Sequence, residues 1–459
     1  MKYIKVRNPY NREVITELKE TLLETIDEIF NRARESFKKI SSLTNYERYQ
    51  ILMEVASMIE NDSERFAKDI VYESGKTINE ARGEVKRTIQ TLKLSADVAK
   101  NLSGRVVPIT GAPEIKNKLA YYKIVPAGIV VAITPFNFPL NLVAHKIGPA
   151  VAAGCSIVFK PSTQTPVSGL NLVKVLYKAG LPDDAVQTVI GSGATIGKAV
   201  ISHTTPRVIT FTGSKEIGEF ISKNAGLKRI ALELGSNSAV YVSKDSDLKS
   251  FIFKIVRGAY ALAGQVCISI QRVYVDREIF DEFIDFVKEE IVNIKIGNPI
   301  KENTNMGPMI NEAAIEKALY LIDDSIKRGG ELITGGKREE NFILPTLLVN
   351  VPEDAEVVKR EAFSPLMVVN PVESMEDAIR RINDSEYGLQ ASIYTSDLKR
   401  AMEFTNRVEA GGVLVNEIPT FRVDIMPYGG IKGSGIGREG PEYAVEEMTE
   451  KKLIIMDYN

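Results

Sequence analysis

Five short segments of this 459-residue chain carry side chains that could do chemistry. In Gly264-Gln265-Val266-Cys267-Ile268-Ser269, a single thiol sits among residues suited to a loop or helix edge. A lone cysteine is by default a small buried hydrophobe, and a reactive one needs partial access and a lowered pKa. Glu233 interrupts the apolar stretch Ile230-Ala231-Leu232-Glu233-Leu234-Gly235. A carboxylate there must be solvated, paired or functional, because burying it ionised is costly. Asn137 follows an apolar run inside Thr134-Pro135-Phe136-Asn137-Phe138-Pro139. Its amide is either a turn former or a rigidly held donor to a developing oxyanion. Lys160 closes another run as Phe159-Lys160-Pro161-Ser162, where the plain reading is a surface lysine whose stem covers apolar neighbours. Gly213-Ser214-Lys215-Glu216-Ile217-Gly218 lies between a strand and a helix, leaving N–H groups free at a positive helix end suited to a phosphate. It is not the GxGxxG fingerprint, and Gly191-Ser192-Gly193 fits that only loosely, so each alone reads as a tight turn.

The rest of the inventory narrows the chemistry. Cys155 and Cys267 are too few and too far apart for a disulfide framework or a Cys-rich zinc site. Cys155 opens the apolar run CSIVF and reads as structural. His145 and His203, the only histidines, exclude a His-rich metal centre and leave two bases for a Ser-His-Asp triad. Both read as structural or surface residues, and no metal site is expected. The work therefore falls to carboxylates, Lys, Tyr, Ser or a thiol, or to a cofactor.

A near-balance of 60 acidic and 58 basic side chains argues against nucleic acid or an anionic membrane as main partner. With 44% apolar and 26% charged residues, global disorder is excluded. The opening Met1 to Arg7 lacks the apolar run of a signal peptide, and no stretch of about 18 apolar residues could span a bilayer. A cytoplasmic location with reduced thiols is the expectation. Only seven Gln beside abundant Lys, Glu and Ile point to a thermophilic source.

These residues need elements to position them. After a turn at Asn8-Pro9-Tyr10-Asn11, apolar residues Leu22, Ile26, Ile29, Ala33, Phe37 and Ile40 recur at helical spacing. Helical pattern continues over 46–73 and 76–102. From Gly128, apolar strand runs (128–134, 155–160, 186–190, 207–212, 229–234) alternate with helices (140–153, 166–179, 194–202, 215–226). That alternation means βαβ units and a parallel sheet, which binds ligands at the carboxyl ends of its strands. A second α/β stretch follows over about 236–440, with helices near 246–263, 278–293, 311–328 and 396–409. Residues 108–127 read as an extended arm and 451–457 as a strand-like tail.

The segments TPFNFPLN, FKPS, FTGSKEIG, LELGS and GQVCIS occur in this order, followed by EAFSP and MPYGGIKGSGIGREG. On that ordered combination, effectively over the whole chain, the sequence resembles the NAD(P)-dependent aldehyde dehydrogenase superfamily. The resemblance implies an α/β fold: a Rossmann-type cofactor domain (1–107 and 127–234), a catalytic domain (235–440), and an oligomerisation arm and tail (108–126 and 441–459). It implies Cys267 as nucleophile toward the aldehyde carbon, Asn137 with the Cys267 N–H as oxyanion holder, and Glu233 as base for hydrolysis of the thioester and as a helper in deprotonating Cys267. Relatives that pass the acyl group to coenzyme A typically lack that base, so Glu233 favours a free acid as product.

For the cofactor, the implied residues are Thr134, Pro135, Phe136 and Asn137 after one strand, and Lys160, Ser162 and Thr163 after the next. Gly193 and Gly197, then Phe211, Thr212, Gly213, Ser214 and Gly218, then Leu234, Glu361 and Phe363 complete the set. NAD-preferring members often carry Glu three residues after the lysine; here that position is Thr163, so NADP is expected to be accepted and preferred over NAD. Departures from the family pattern are Gly235-Ser236 for Gly-Gly, Phe136 for Trp, and Ser364 for Gly in Glu361-Ala362-Phe363-Ser364-Pro365. Phe421 and Arg422 fall where members line the substrate entrance; Arg422 would meet a substrate carboxylate, phosphate or hydroxyl, or pair with Asp424 at the surface. The pattern is similar to archaeal lactaldehyde and glyceraldehyde dehydrogenases and to succinate-semialdehyde dehydrogenases, implying a short polar aldehyde. The alternatives are a coenzyme A-acylating semialdehyde dehydrogenase and a catalytically silent binding or structural protein. The family's dimers or tetramers imply a homo-oligomer built through the arm and tail, whose strand-like edges suit such pairing.

Overall fold

The run Ile129–Ile133 forms a strand buried at every residue in the computed structural model, which describes residues 2–458. Such a strand is covered on both faces, and its alternation shows by what. Val130 and Ala132 pack into a core with the N-terminal helices, while Ile129, Val131 and Ile133 pack on the opposite side against Phe30 and Ile221.

The chain opens with an antiparallel hairpin of β1 (Tyr3–Arg7) and β2 (Val14–Lys19). Helices α1 (Ile26–Ile40), α2 (Asn45–Asn61), α3 (Ser63–Ser74) and α4 (Ile78–Asn101) follow. The single helix expected over 46–73 is thus two, parted at Asp62, where φ −118° and ψ 25° leave the helical region. Capping boxes Thr44/Glu47 and Thr77/Glu80 start α2 and α4, satisfying N–H groups that a helix start leaves free. Next come β3 (Arg105–Val107) and β4 (Lys118–Pro126).

The expected alternation then appears: β5 (Ile129–Ile133), α5 (Asn141–Ala153), β6 (Ser156–Lys160), α6 (Val167–Lys178), β7 (Val186–Thr188), α7 (Lys198–Ser202), β8 (Val208–Thr212), α8 (Lys215–Asn224) and β9 (Arg229–Glu233). These strands pair in parallel in the order β9-β8-β5-β6-β7. Connections leave β5 and β8 in opposite directions across the sheet, so a crevice opens at their carboxyl ends. The loops after these two strands hold Asn137 and Gly213.

The second sheet contains β10 (Ala239–Val242), β11 (Arg272–Asp276), β12 (Glu331–Thr334), β15 (Thr346–Val349), β16 (Leu366–Val372), β17 (Gln390–Tyr394) and β18 (Gly412–Val415). A short hairpin of β13 (Arg338–Glu339) and β14 (Phe342–Ile343) stands apart. The order is β12-β15-β16-β11-β10-β17-β18, parallel except for β12. Its helices are α9 (Ile252–Tyr260), α10 (Phe280–Val292), α11 (Glu312–Lys327), α12 (Glu356–Lys359), α13 (Met375–Asn383) and α14 (Leu398–Arg407). The helix expected near 246–263 spans only Ile252–Tyr260: Phe251, at φ −138° and ψ −8°, breaks it at the start, and Leu262 and Ala263 take left-handed φ of 49° and 52° past its end.

Two returns of the chain cross the sequence divisions. β19 (Gly435–Ile436) runs antiparallel to β9, with Gly435 opposite Glu233, so the end of the second unit closes the first sheet. α15 (Pro441–Glu447) packs on α4 and α5, and only β20 (Thr449–Asp457) continues as a strand along β4. β3, β4 and β20 form a three-stranded antiparallel sheet that leaves Leu453, Ile455 and Met456 exposed. Among the described residues, no helix is long and apolar enough to cross a membrane.

Candidate active site

A cavity of about 690 Å³ lies between the two sheets. Its lining includes Pro135, Phe136 and Asn137 after β5, Thr212, Gly213 and Ser214 after β8, and Glu233 and Leu234 after β9. From the second unit come Cys267, Glu361, Phe363, Phe421, Arg422 and Tyr428.

Cys267 follows the left-handed Leu262-Ala263 turn and is half-buried, its Sγ 3.1 Å from the Tyr428 hydroxyl. Burial pushes the thiol up to about 11, against the Tyr428 hydrogen bond and the Arg422 charge. Backbone strain of this kind persists only where surroundings hold it. Here Glu80 Oε1 accepts the Leu262 N–H at 2.8 Å. Four residues along α4, Glu84 Oε1 accepts the N–H groups of Leu140 and Asn141 at 2.9 and 3.1 Å, fixing the start of α5. Glu84 is itself paired with buried Lys76 at 2.6 Å. Three residues further, Arg87 binds Asp424 at 2.6 Å. One face of α4 thus anchors three loops of the cavity.

The Asn137 amide donates to the Gln265 carbonyl at 3.0 Å, joining the β5 loop to the Cys267 loop. An amide has a second N–H, available for an oxyanion beside the thiol. Glu233 is 5% exposed and its Oε2 has no hydrogen-bond partner, although burial of such a group is costly. Burial and then the charge of Glu439 raise its pKa well above the ordinary carboxylate value. Its place requires Gly429, since a Cβ there would lie 2.8 Å from Glu233 Oε1.

Glu439 receives Lys146 at 3.3 Å, Arg422 at 2.8 Å and the Thr212 hydroxyl at 3.2 Å. Although burial opposes ionisation, Lys146 and Arg422 hold Glu439 well below the usual carboxylate range. Arg422 therefore does not pair with Asp424 at the surface. Its side chain is buried against Glu439, and Asp424 is taken by Arg87 and His145. Phe421 stands exposed at the cavity rim.

Lys160 is not a surface lysine: it is 5% exposed, its ammonium makes one long bond of 3.5 Å to the Pro161 carbonyl, and burial lowers its pKa to about 8. Gly197 adjoins its stem at 3.6 Å, measured from the position a Cβ would take. Gly193 is open to solvent in the turn that Ser192 caps, and Ser162 accepts from the Gln164 N–H at 3.2 Å beside half-buried Thr163. Thr134, Phe211 and Gly218 do not line this cavity, and Gly218 packs against Leu234. Ser214 starts α8 with β-region backbone and lines the cavity, so the N-terminal end of that helix adjoins it. Glu361 accepts the Ser236 N–H at 3.0 Å, and burial of its carboxylate pushes it up to about 7. It approaches only because residue 235 is Gly, where a Cβ would lie 2.6 Å from Glu361 Oε2. Phe363 meets Phe136 edge-on at 5.7 Å.

The under-bonded Lys160 ammonium, the N-terminal end of α8 at Ser214 and the sparsely bonded Glu361 suit an extended ligand with phosphates and sugar hydroxyls. Sequence reasoning missed Tyr428, Lys146 and Glu439, and read His145 as a bystander. The one signal for Lys146 was a cation on a helix buried at every residue. Glu439 lay inside the quoted GREG segment without a role.

A family model described as the aldehyde dehydrogenase family matches residues 1–454. The chain is 41% identical over 454 residues to 3-sulfolactaldehyde dehydrogenase of Priestia megaterium, covering 99% of this chain and 95% of the relative. It is 40% identical over 460 residues to lactaldehyde dehydrogenase of Methanococcus aeolicus, covering 99% and 97%. The crystal structure of glyceraldehyde-3-phosphate dehydrogenase GapN from Methanocaldococcus jannaschii, complexed with NADP, superposes with TM-score 0.95 at 38% identity over 99% of both chains.

Proposed function

Because the chain belongs to the aldehyde dehydrogenase family and is an NAD(P)-dependent oxidoreductase, we propose that it turns a short polar aldehyde into its acid at Cys267. The convergence of Cys267, Asn137 and Glu233 on one cavity carries this reading. The Cys267 thiolate attacks the aldehyde carbon, giving a thiohemiacetal whose oxyanion accepts from the Asn137 amide and the Cys267 N–H. A nicotinamide cofactor held beside Phe136, Glu361 and Phe363 would supply the hydride acceptor for oxidation to the thioester. Glu233, unpartnered and with a raised pKa, takes a proton from the water that hydrolyses this thioester. The product acid then leaves and frees Cys267.

Lys160, Ser162 and Thr163, with Gly193 and Gly197, would hold the adenosine end of the cofactor. Thr212, Gly213 and Ser214 would meet its phosphates, and Glu361, Leu234, Phe136 and Phe363 the nicotinamide end. Burial alone shifts Lys160, with no carboxylate beside it. That environment admits a 2′-phosphate, so NADP is preferred over NAD.

For the substrate, the 3-sulfolactaldehyde and lactaldehyde dehydrogenases similar to this chain act on short hydroxyaldehydes by name. Arg422, whose buried Nε lacks a hydrogen-bond partner, and Phe421 would contact such a substrate. The exposed apolar strip on β20 supports a homodimer or homotetramer. Two free thiols and the low Gln content support a cytoplasmic location and a thermophilic source. A spectrophotometric screen of small aldehydes with NAD and NADP, each with and without coenzyme A, tests the reading. Reduced cofactor should form without coenzyme A; strict dependence on it would refute the hydrolytic route.

A further inference from the structure

The mechanism leaves one buried polar contact unused. Cys267 Sγ has one hydrogen bond among the described residues, the 3.1 Å contact to the Tyr428 hydroxyl. Neither histidine serves the thiol: His145 is bound to Asp424 at 2.8 Å and His203 to Asp27 at 2.9 Å.

Tyr428 is built to stay in place. It is 4% exposed and packs with Ile268 and Leu389. Its backbone exchanges hydrogen bonds with Glu439 at 3.1 and 2.6 Å. The Arg422 guanidinium lies 3.8 Å from the Tyr428 ring centroid and is itself tied to Glu439 at 2.8 Å. A cation over a phenol face is attracted to the ring and draws density from it, which strengthens the O–H as donor.

While Cys267 is a thiol, either group can donate. Once the S–H proton has left to a solvent base, only the phenol can, and a hydrogen bond to an anion is roughly twice as strong as one between neutral groups. We propose that Tyr428, held beneath Arg422, is a positioning residue that donates its O–H to the Cys267 thiolate, stabilising the ionised form against burial and aiming it into the cavity. The phenol keeps its proton throughout, and no bond to it forms or breaks.

This inference rests on the reading of Cys267 as nucleophile, and its test needs neither aldehyde nor cofactor. The rate of iodoacetamide alkylation of the Cys267 peptide is followed across neutral to alkaline pH in wild type and Y428F. Loss of one charge-assisted hydrogen bond should move the midpoint up by about one pH unit, slowing alkylation about tenfold at pH values below it. An unchanged midpoint in folded Y428F would overturn the proposal. Should Y428F not fold, biosynthetic replacement of Tyr by the more acidic 3-fluorotyrosine is the second arm. The midpoint should then move down, and a midpoint that stays or rises overturns the proposal. Absence of aldehyde oxidation in the wild type would count against the functional reading and leave this comparison standing.

Discussion

Arg422 and Glu439 form an ion pair at 2.8 Å with side chains only 8% and 7% exposed. Its effect reaches Glu233, whose pKa is raised first by burial and then by the negative charge of Glu439. The base works only when unprotonated, so the rate of thioester hydrolysis rises with pH through the Glu233 pKa. Removing the Glu439 charge lowers that pKa. In E439Q the rising limb of kcat should therefore shift to lower pH, read from steady-state profiles; a shift to higher pH would contradict the assignment.

Glu233→Gln keeps the shape of the protonated side chain and removes the base. Steady-state turnover should fall about 10²- to 10⁴-fold. The pre-steady-state burst of reduced cofactor should survive, because it precedes water attack. Rapid-mixing absorbance separates the two phases, and loss of the burst with the turnover would place Glu233 earlier in the reaction.

Cys267→Ser replaces the thiol by a hydroxyl, which is far harder to ionise and a poorer nucleophile at neutral pH. Aldehyde oxidation should drop on the order of 10³-fold or more, while cofactor binding measured by fluorescence titration stays near wild type.

Thr163→Glu would set a carboxylate near the buried Lys160 ammonium. A second negative charge close to a 2′-phosphate repels it, so kcat/KM with NADP should fall about tenfold or more while that with NAD holds or rises. Kinetics with both cofactors check this. Higher kcat/KM with NAD already in the wild type would remove its premise.

Lys76 and Glu84 are only 1% and 0% exposed, and Lys76 also lies 3.6 Å from the Phe138 ring centroid. Lys76→Met leaves Glu84 charged and uncompensated, which should cost about 3–5 kcal/mol. Because Glu84 fixes the start of α5, turnover should fall as well. Denaturant titration and kinetics on the same preparation measure both effects.

Local pattern in the sequence was enough for the alternating strands and helices from Ile129 to Glu233, because strands covered on both faces read as near-continuous apolar runs. The break at Asp62 had a sequence signal, since Asn61, Asp62 and Ser63 are all types that favour helix starts, whereas the break at Leu262 was illegible, since Leu marks no helix end and its conformation is held by Glu80 from a distant helix.

By itself the sequence determined which groups were available: one thiol outside an apolar run, a carboxylate set against a strand's end, and an ordered series of motifs. Only the tertiary structure decided their states. Lys160 becomes an enclosed, under-bonded cation, and Arg422 turns from Asp424 to Glu439. Tyr428 reaches Cys267 across 161 residues of chain. Charge state and hydrogen-bond partner depend on burial and on atoms a few ångströms away, and chain folding brings those atoms from segments with no sequence proximity.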